Sequence, residues 1–140
     1  RRLGRKLLED GLSADLIIPV PLHLSKKRDR GYNQSEVIAE GLAAEMDILL
    51  ETKLLKRTKF TESQTRLNHD ERMTNVNEAF SISKEADIRG KTVFILDDVI
   101  TTGATIAGCA KLLKGNNALK VIALSLAYVG DNHDILHITT

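Results

Sequence analysis

Val93-Phe94-Ile95-Leu96-Asp97-Asp98-Val99-Ile100-Thr101-Thr102-Gly103-Ala104-Thr105 is the stretch that decides the fold. Thr92 to Leu96 is the clearest buried strand in the chain, an apolar run preceded by a Gly90-Lys91 turn. Two carboxylates stand where the strand is expected to end, so the turning chain lets both reach one ligand. A short loop of small, hydroxylated residues and Gly103 follows. It opens a helix over 104–114 with Ile106, Ala110 and Leu113 on one face. In open α/β sheets, ligands bind beyond the carboxyl ends of strands, where this loop is expected.

The loop and the acids ask for different ligand groups. Small side chains and Gly103 let backbone N–H groups approach an anion closely, and the helix N-terminus adds free donors and a positive dipole end. The hydroxyls of Thr101, Thr102 and Thr105 are further donors. Thr101, Thr102, Gly103, Ala104 and Thr105 therefore read as a phosphate cradle. Asp97 and Asp98 are acceptors only and would repel a phosphate. They suit sugar hydroxyls or a hydrated Mg²⁺. A phosphorylated sugar satisfies both halves. Either carboxylate alone reads as a turn or cap residue. The strand–loop–helix context is what gives the string its force.

Competing phosphate motifs fail. Gly103 and Gly108 have Walker A spacing, but Cys109-Ala110 stand where Lys-Ser/Thr is required, and no GxGxxG is present.

Outward from this stretch the chain alternates strands and helices. Leu3, Leu7, Leu8 and Leu12 predict an amphipathic helix over 2–12. Asp15 to Leu22 is a short apolar run containing both prolines, which suits a buried strand breaking into a loop. Ser25 to Gly31 is a basic loop. Asn33 or Ser35 caps a helix whose apolar face is expected to be Val37, Ile38, Leu42 and Met46. Residues 51–56 read as strand or helix. Residues 57–78 are polar, a long connection of the kind that closes over sites. Ala79 to Ser83 reads as a returning strand, Asn116-Asn117 as a turn and Val121 to Tyr128 as another apolar strand. The expected fold is α/β, a mostly parallel sheet flanked by helices on both faces.

Composition bounds the rest. With 140 residues the chain is one domain. Hydrophobic residues at 42% and charged residues at 28% are ordinary for a globular protein. A net charge of +1 gives no global field for nucleic acid, and scarce aromatics argue against a base-stacking platform. The single Cys109 cannot form an internal disulfide and reads as a small buried hydrophobe, so a reducing cytoplasm is expected. His23, His69, His133 and His137 show no metal spacing. No apolar run approaches the roughly 18 residues of a membrane span, so no membrane partner is expected. The opening Arg1-Arg2-Leu3 lacks Met and fits the C-terminal part of a longer protein.

The acid pair followed by Thr-Thr-Gly-Ala-Thr resembles the ribose-phosphate signature of type I phosphoribosyltransferases. Pro19-Val20-Pro21-Leu22, Arg30-Gly31-Tyr32-Asn33-Gln34, Gln64, Arg72 and Asn75-Val76 sharpen it to the competence-associated ComF family. The resemblance covers roughly residues 3–129. Arg57-Thr58, Gln64 and Arg72 are also similar to the loop of glutamine–PRPP amidotransferase, where PRPP is phosphoribosyl diphosphate. The resemblance implies a Rossmann-like core that binds PRPP. Asp97 and Asp98 would hold the ribose hydroxyls, partly through Mg²⁺, with no protein-only metal site. Thr101 to Thr105 would take the 5′-phosphate. Arg28, Arg30 and Gly31 would face the diphosphate, and Arg57, Gln64 and Arg72 would belong to a mobile loop over 57–78. No catalytic residue is assigned, because the chemistry needs no protein nucleophile.

Two departures stand out. The Cys-rich, zinc-binding segment common in ComF proteins is not in this sequence, and neither is a glutaminase Cys nucleophile. Ammonia transfer from glutamine is therefore not expected on this chain alone. The expected activity is phosphoribosyl transfer to an unidentified acceptor. The alternatives are a non-catalytic PRPP- or nucleotide-binding regulator and a single-stranded-DNA-handling factor working with the competence machinery. For the latter, Arg1, Arg2, Arg5, Lys6 and residues 26–30 supply a local basic patch. A homodimer is implied by the resemblance only.

Overall fold

The computed structural model describes residues 2–22, 31–57, 80–83, 87–100, 103–128 and 136–139. Its strands are β1 (Leu16–Pro19), β2 (Leu49–Leu50), β3 (Leu55–Arg57), β4 (Phe80–Ile82), β5 (Thr92–Ile100), β6 (Lys120–Tyr128) and β7 (Leu136–Thr139). The helices are α1 (Arg2–Glu9), α2 (Gln34–Met46) and α3 (Ala104–Gly115). Five strands form one sheet in the order β2-β1-β5-β6-β7. All its neighbours are parallel except β6 and β7. β3 and β4 pair antiparallel as a separate two-stranded ribbon.

The near-continuous apolar runs of β1, β5 and β6 are explained by two cores, one on each face of the sheet. Leu16, Ile18, Val93, Ile95, Val121 and Ala123 join Ile106, Cys109, Ala110 and Leu113 of α3. Ile17, Phe94, Leu96, Ile122 and Leu124 join Leu7 of α1 and Ala39, Leu42, Ala43 and Met46 of α2. Odd and even strand positions divide cleanly between the faces, as the two-residue strand period requires. Pro19 is tolerated in an interior strand for a local reason. Ile17 O accepts from Glu51 N at 3.0 Å and Val20 N donates to Leu96 O at 2.8 Å. Positions 17 and 19 therefore face β2, whose pairing stops at Ile17, so no ladder bond calls on the missing proline N–H.

Several expectations are corrected. α1 stops at Glu9, and Leu8 is 51% exposed while Leu7 is buried. Val37 is 52% exposed, because the buried face of α2 runs through Ser35, Ala39, Leu42, Ala43 and Met46. β5 does not end at Leu96. It continues to Ile100 because the equally long β6 goes on pairing, Asp97 opposite Ser125 and Ile100 opposite Tyr128. Of residues 51–56 only Leu55 and Lys56 form strand, the start of β3, and the returning strand is β4, which leaves the main sheet to pair with β3. β2 and the antiparallel β7 were not anticipated.

Candidate functional site

The chain order and the sheet order together locate a crevice. β1 runs through α2 to β2 in one direction, and β5 runs through α3 to β6 in the other. The order therefore reverses between β1 and β5. Their carboxyl ends flank the position where doubly wound sheets bind ligands. α2 packs on one face beside this point and α3 on the other, so both helix N-termini open toward it.

Asp97 and Asp98 lie within the last part of β5. Sequence parity sends Asp97 to the α3 face, with Val93 and Ile95, and Asp98 to the α2 face, with Phe94 and Leu96. Asp98 Oδ1 accepts from the Val99 N–H at 2.9 Å. The strand does not turn at the acids, so the expected reason for both to reach one ligand does not hold. The two carboxyl groups nevertheless stay close enough to interact. Burial, and then the side-chain hydrogen bond and charge of the neighbouring Asp98, push the Asp97 carboxyl up to about 6, with the Asp98 backbone N–H and then Arg57 opposing. Among the described residues no three His, Cys, Asp or Glu gather as a metal cluster. Two adjacent carboxylates fit Mg²⁺, which takes hard oxygen donors and completes its shell with water and phosphate oxygens.

On the far side of the acids, Gly103 takes φ +80° as the N-cap of α3. A glycine is favoured there because a Cβ would be strained in the left-handed region. Gly103 offers no side-chain cap, and the first turn of α3 carries no acidic residue. Ala104 and Thr105 begin the helix. Thr101 and Thr102 lie outside the described residues.

The exit of β1 is held from two sides. Asn33 Nδ2 donates to Val20 O at 3.1 Å, and Arg57 Nε donates to Pro21 O at 3.3 Å. Arg57 is the last residue of β3 and also lies over the Phe80 ring, 4.8 Å from its centroid, so it is anchored in the ribbon and is not part of the expected mobile loop. Burial lowers its pKa, while the charge of Asp97 opposes that shift. Pro19, Pro21, Asn33, Glu36, Lys56 and Arg57 line part of a cleft of about 300 Å³ at this exit. Gly31, at φ +76°, leads into α2. Arg28, Arg30, Gln64 and Arg72 lie outside the described residues, as does the 57–78 segment apart from Arg57.

Cys109 is fully buried in the α3 core, and burial pushes its thiol up to about 12. It is an inert packing residue, as its sequence context suggested. The residue that sequence reasoning undervalued is Ser35, read only as an alternative cap. Its hydroxyl accepts from the Asp98 N–H at 3.1 Å, a contact across the fold that no local pattern reveals.

Comparison with known proteins agrees with this geometry. Residues 11–136 match the phosphoribosyl transferase domain family. Competence protein F of Haemophilus influenzae is 37% identical over 101 residues, 71% of this chain and 44% of that protein. DNA utilization protein YhgH of Escherichia coli O157:H7 is 36% identical over 107 residues, 76% of this chain and 46% of that one. The chain thus spans about half the length of the curated relatives it matches. Among solved structures, the glutamine PRPP amidotransferase of Bacillus subtilis superposes with a TM-score of 0.59 at 23% identity, covering 86% of this chain and 24% of that one. That likeness supports the fold. A parallel sheet reversing its order between β1 and β5, an acid pair in β5 and a matching sequence over most of its length lead to one assignment: the chain belongs to the phosphoribosyl transferase domain family.

Proposed function

We propose that this domain binds PRPP with Mg²⁺ and transfers the phosphoribosyl group to an acceptor, releasing diphosphate. One observation carries the reading: the acid pair of β5 and the Gly103-capped start of α3 meet at the point where the strand order reverses. Asp97 and Asp98 would hold the ribose hydroxyls and share Mg²⁺ with the substrate. Thr101 to Thr105 would take the 5′-phosphate, and the β1 exit with Arg28, Arg30 and Gly31 would face the diphosphate. Mg²⁺, when bound, supplies charge neutralisation for the departing diphosphate. The C1–diphosphate bond breaks as the C1–acceptor bond forms, and positive charge develops on the ribose ring. The chain's part is to orient the two reactants and, through the segment that follows Arg57, to exclude water as a competing acceptor.

The relatives' names, a competence protein and a DNA utilization protein, motivate a second reading: a PRPP- or nucleotide-binding factor without turnover, or one that handles single-stranded DNA in DNA uptake. One set of titrations tests the PRPP site that both share, and diphosphate release with candidate bases and amines as acceptors separates turnover from binding alone. Calorimetry of PRPP with and without Mg²⁺, on the wild type and on Asp97→Asn/Asp98→Asn, should show Mg²⁺-dependent binding that the double substitution removes. Absence of binding by the folded wild type refutes the PRPP reading. DNA affinity that falls steeply with salt would support the second.

A further inference from the structure

The Arg30-Gly31-Tyr32-Asn33-Gln34 run contributes to the family resemblance, yet the reaction outlined above gives Asn33 no part. Asn33 and Ser35 are the buried polar residues at the start of α2, 7% and 3% exposed. Their bonds form a chain. Asn33 Nδ2 donates to Val20 O at 3.1 Å, and Asn33 Oδ1 accepts from Ser35 N at 3.1 Å. Ser35 Oγ accepts from Asp98 N at 3.1 Å. On the other side of the same residue, Ser125 Oγ donates to Asp98 O at 3.4 Å.

A helix cap needs only the Asn33–Ser35 bond. The two outward bonds do more. They reach 13 positions back to the exit of β1 and 63 positions on to β5. The Asp98 peptide is thereby held from α2 and from β6 at once, and the β1 exit is held from the same helix turn. Each group is a short, buried side chain with few alternative partners, so its geometry is well defined.

We propose that Asn33 and Ser35 are positioning residues. They form a hydrogen-bonded clasp that sets the Asp98 backbone against the exit of β1. The inference rests on the PRPP reading for its purpose: that separation fixes where a ribose held by the acids stands relative to a diphosphate at the β1 exit. Sites of this kind lose function when supporting bonds slacken, even with every contacting group in place.

The test has one arm without ligand and one with it. Ser35→Ala deletes the acceptor for the Asp98 N–H but leaves the Asn33 cap, and Ser35→Thr keeps a hydroxyl. Asn33→Asp keeps the cap acceptor but loses the donor to Val20 O. Hydrogen exchange at the Asp98 amide, read by NMR on the 140-residue chain, should quicken about tenfold in Ser35→Ala. It should also quicken in Asn33→Asp, which a purely local cap would not produce. Ser35→Thr and the exposed control Glu40→Gln should match wild type. PRPP–Mg²⁺ affinity by calorimetry should fall about tenfold in Ser35→Ala and recover in Ser35→Thr.

Unchanged Asp98 exchange in folded Ser35→Ala overturns the clasp. Quickened exchange with affinity within about twofold of wild type overturns its positioning role. Failure of the wild type to bind PRPP refutes the functional reading instead. The exchange arm then decides the clasp by itself: quickening in both variants upholds it, and no change removes it.

Discussion

The two ends of β5 carry similar residues and behave differently. Before the strand stand Asp87, Arg89 and Gly90. Within its far end and beyond it stand Asp97, Asp98 and Gly103. Asp87 and Arg89 pair at 3.2 Å with side chains 67% and 74% exposed, and the hydrogen bonds and charge of Arg89 hold the Asp87 carboxyl below its ordinary value. Asp97 is partly buried, with Asp98 alongside, and its carboxyl is pushed up to about 6. Gly90 and Gly103 both need positive φ, +72° and +80°. The first only turns the chain, whereas the second begins α3 beside the acids. A favourable exposed pair is a surface feature of little energetic weight. A carboxylate kept at a disadvantage in a crevice is the pattern that the proposed PRPP site calls for.

The largest expected difference is in binding. Asp97→Asn/Asp98→Asn should abolish Mg²⁺-dependent PRPP binding in calorimetry, while Asp87→Asn should leave it intact. Equal loss in both would erase the contrast between the ends. Next come the glycines. Gly90→Ala and Gly103→Ala should each cost about 1 kcal/mol in urea unfolding, from the strain of positive φ. Only Gly103→Ala should also weaken PRPP binding, by about tenfold, because its backbone belongs to the proposed phosphate cradle.

The third difference is in pH dependence. Asp97 is protonated up to about pH 6 in the folded chain against an ordinary value of 3.8. The folded state therefore binds more protons between these values, and stability falls as pH rises through that window. Asp97→Asn should raise stability at pH 7 on the order of 1 kcal/mol, discounted for the partial exposure of the group, with no gain below about pH 4. Asp87→Asn should show no such gain. A gain from Asp97→Asn that persists at pH 3 would contradict the assigned cause. The smallest effect concerns Cys109, whose thiol is pushed up to about 12 within the α3 core. It should stay silent to a soluble disulfide reagent at pH 8 until the chain unfolds.

The site end of β5 was the more legible one in sequence. Strands buried on both faces need unbroken apolar runs, so β1, β5 and β6 announce themselves, and the acids stand out by contrast. β2 is two residues long and β7 is an antiparallel strand at the sheet edge, and neither pattern rises above its surroundings. The reach of β5 to Ile100 depends on β6 offering partners, which Asp97 and Asp98 do not themselves reveal. Val37 looked like core because it is apolar, but the helical register turns it outward. Ser35 was visible as a cap and invisible as a partner of Asp98, since that bond joins positions 63 apart.

An amide NMR titration of the ¹⁵N-labelled chain with PRPP and Mg²⁺ tests the proposed site residue by residue. The largest shifts should fall at Asp97, Asp98, Gly103 and Thr105, with Asp87, Arg89 and Gly90 unmoved. Shifts concentrated at the Asp87–Gly90 end, or none anywhere in a folded chain, would refute a PRPP site at the far end of β5.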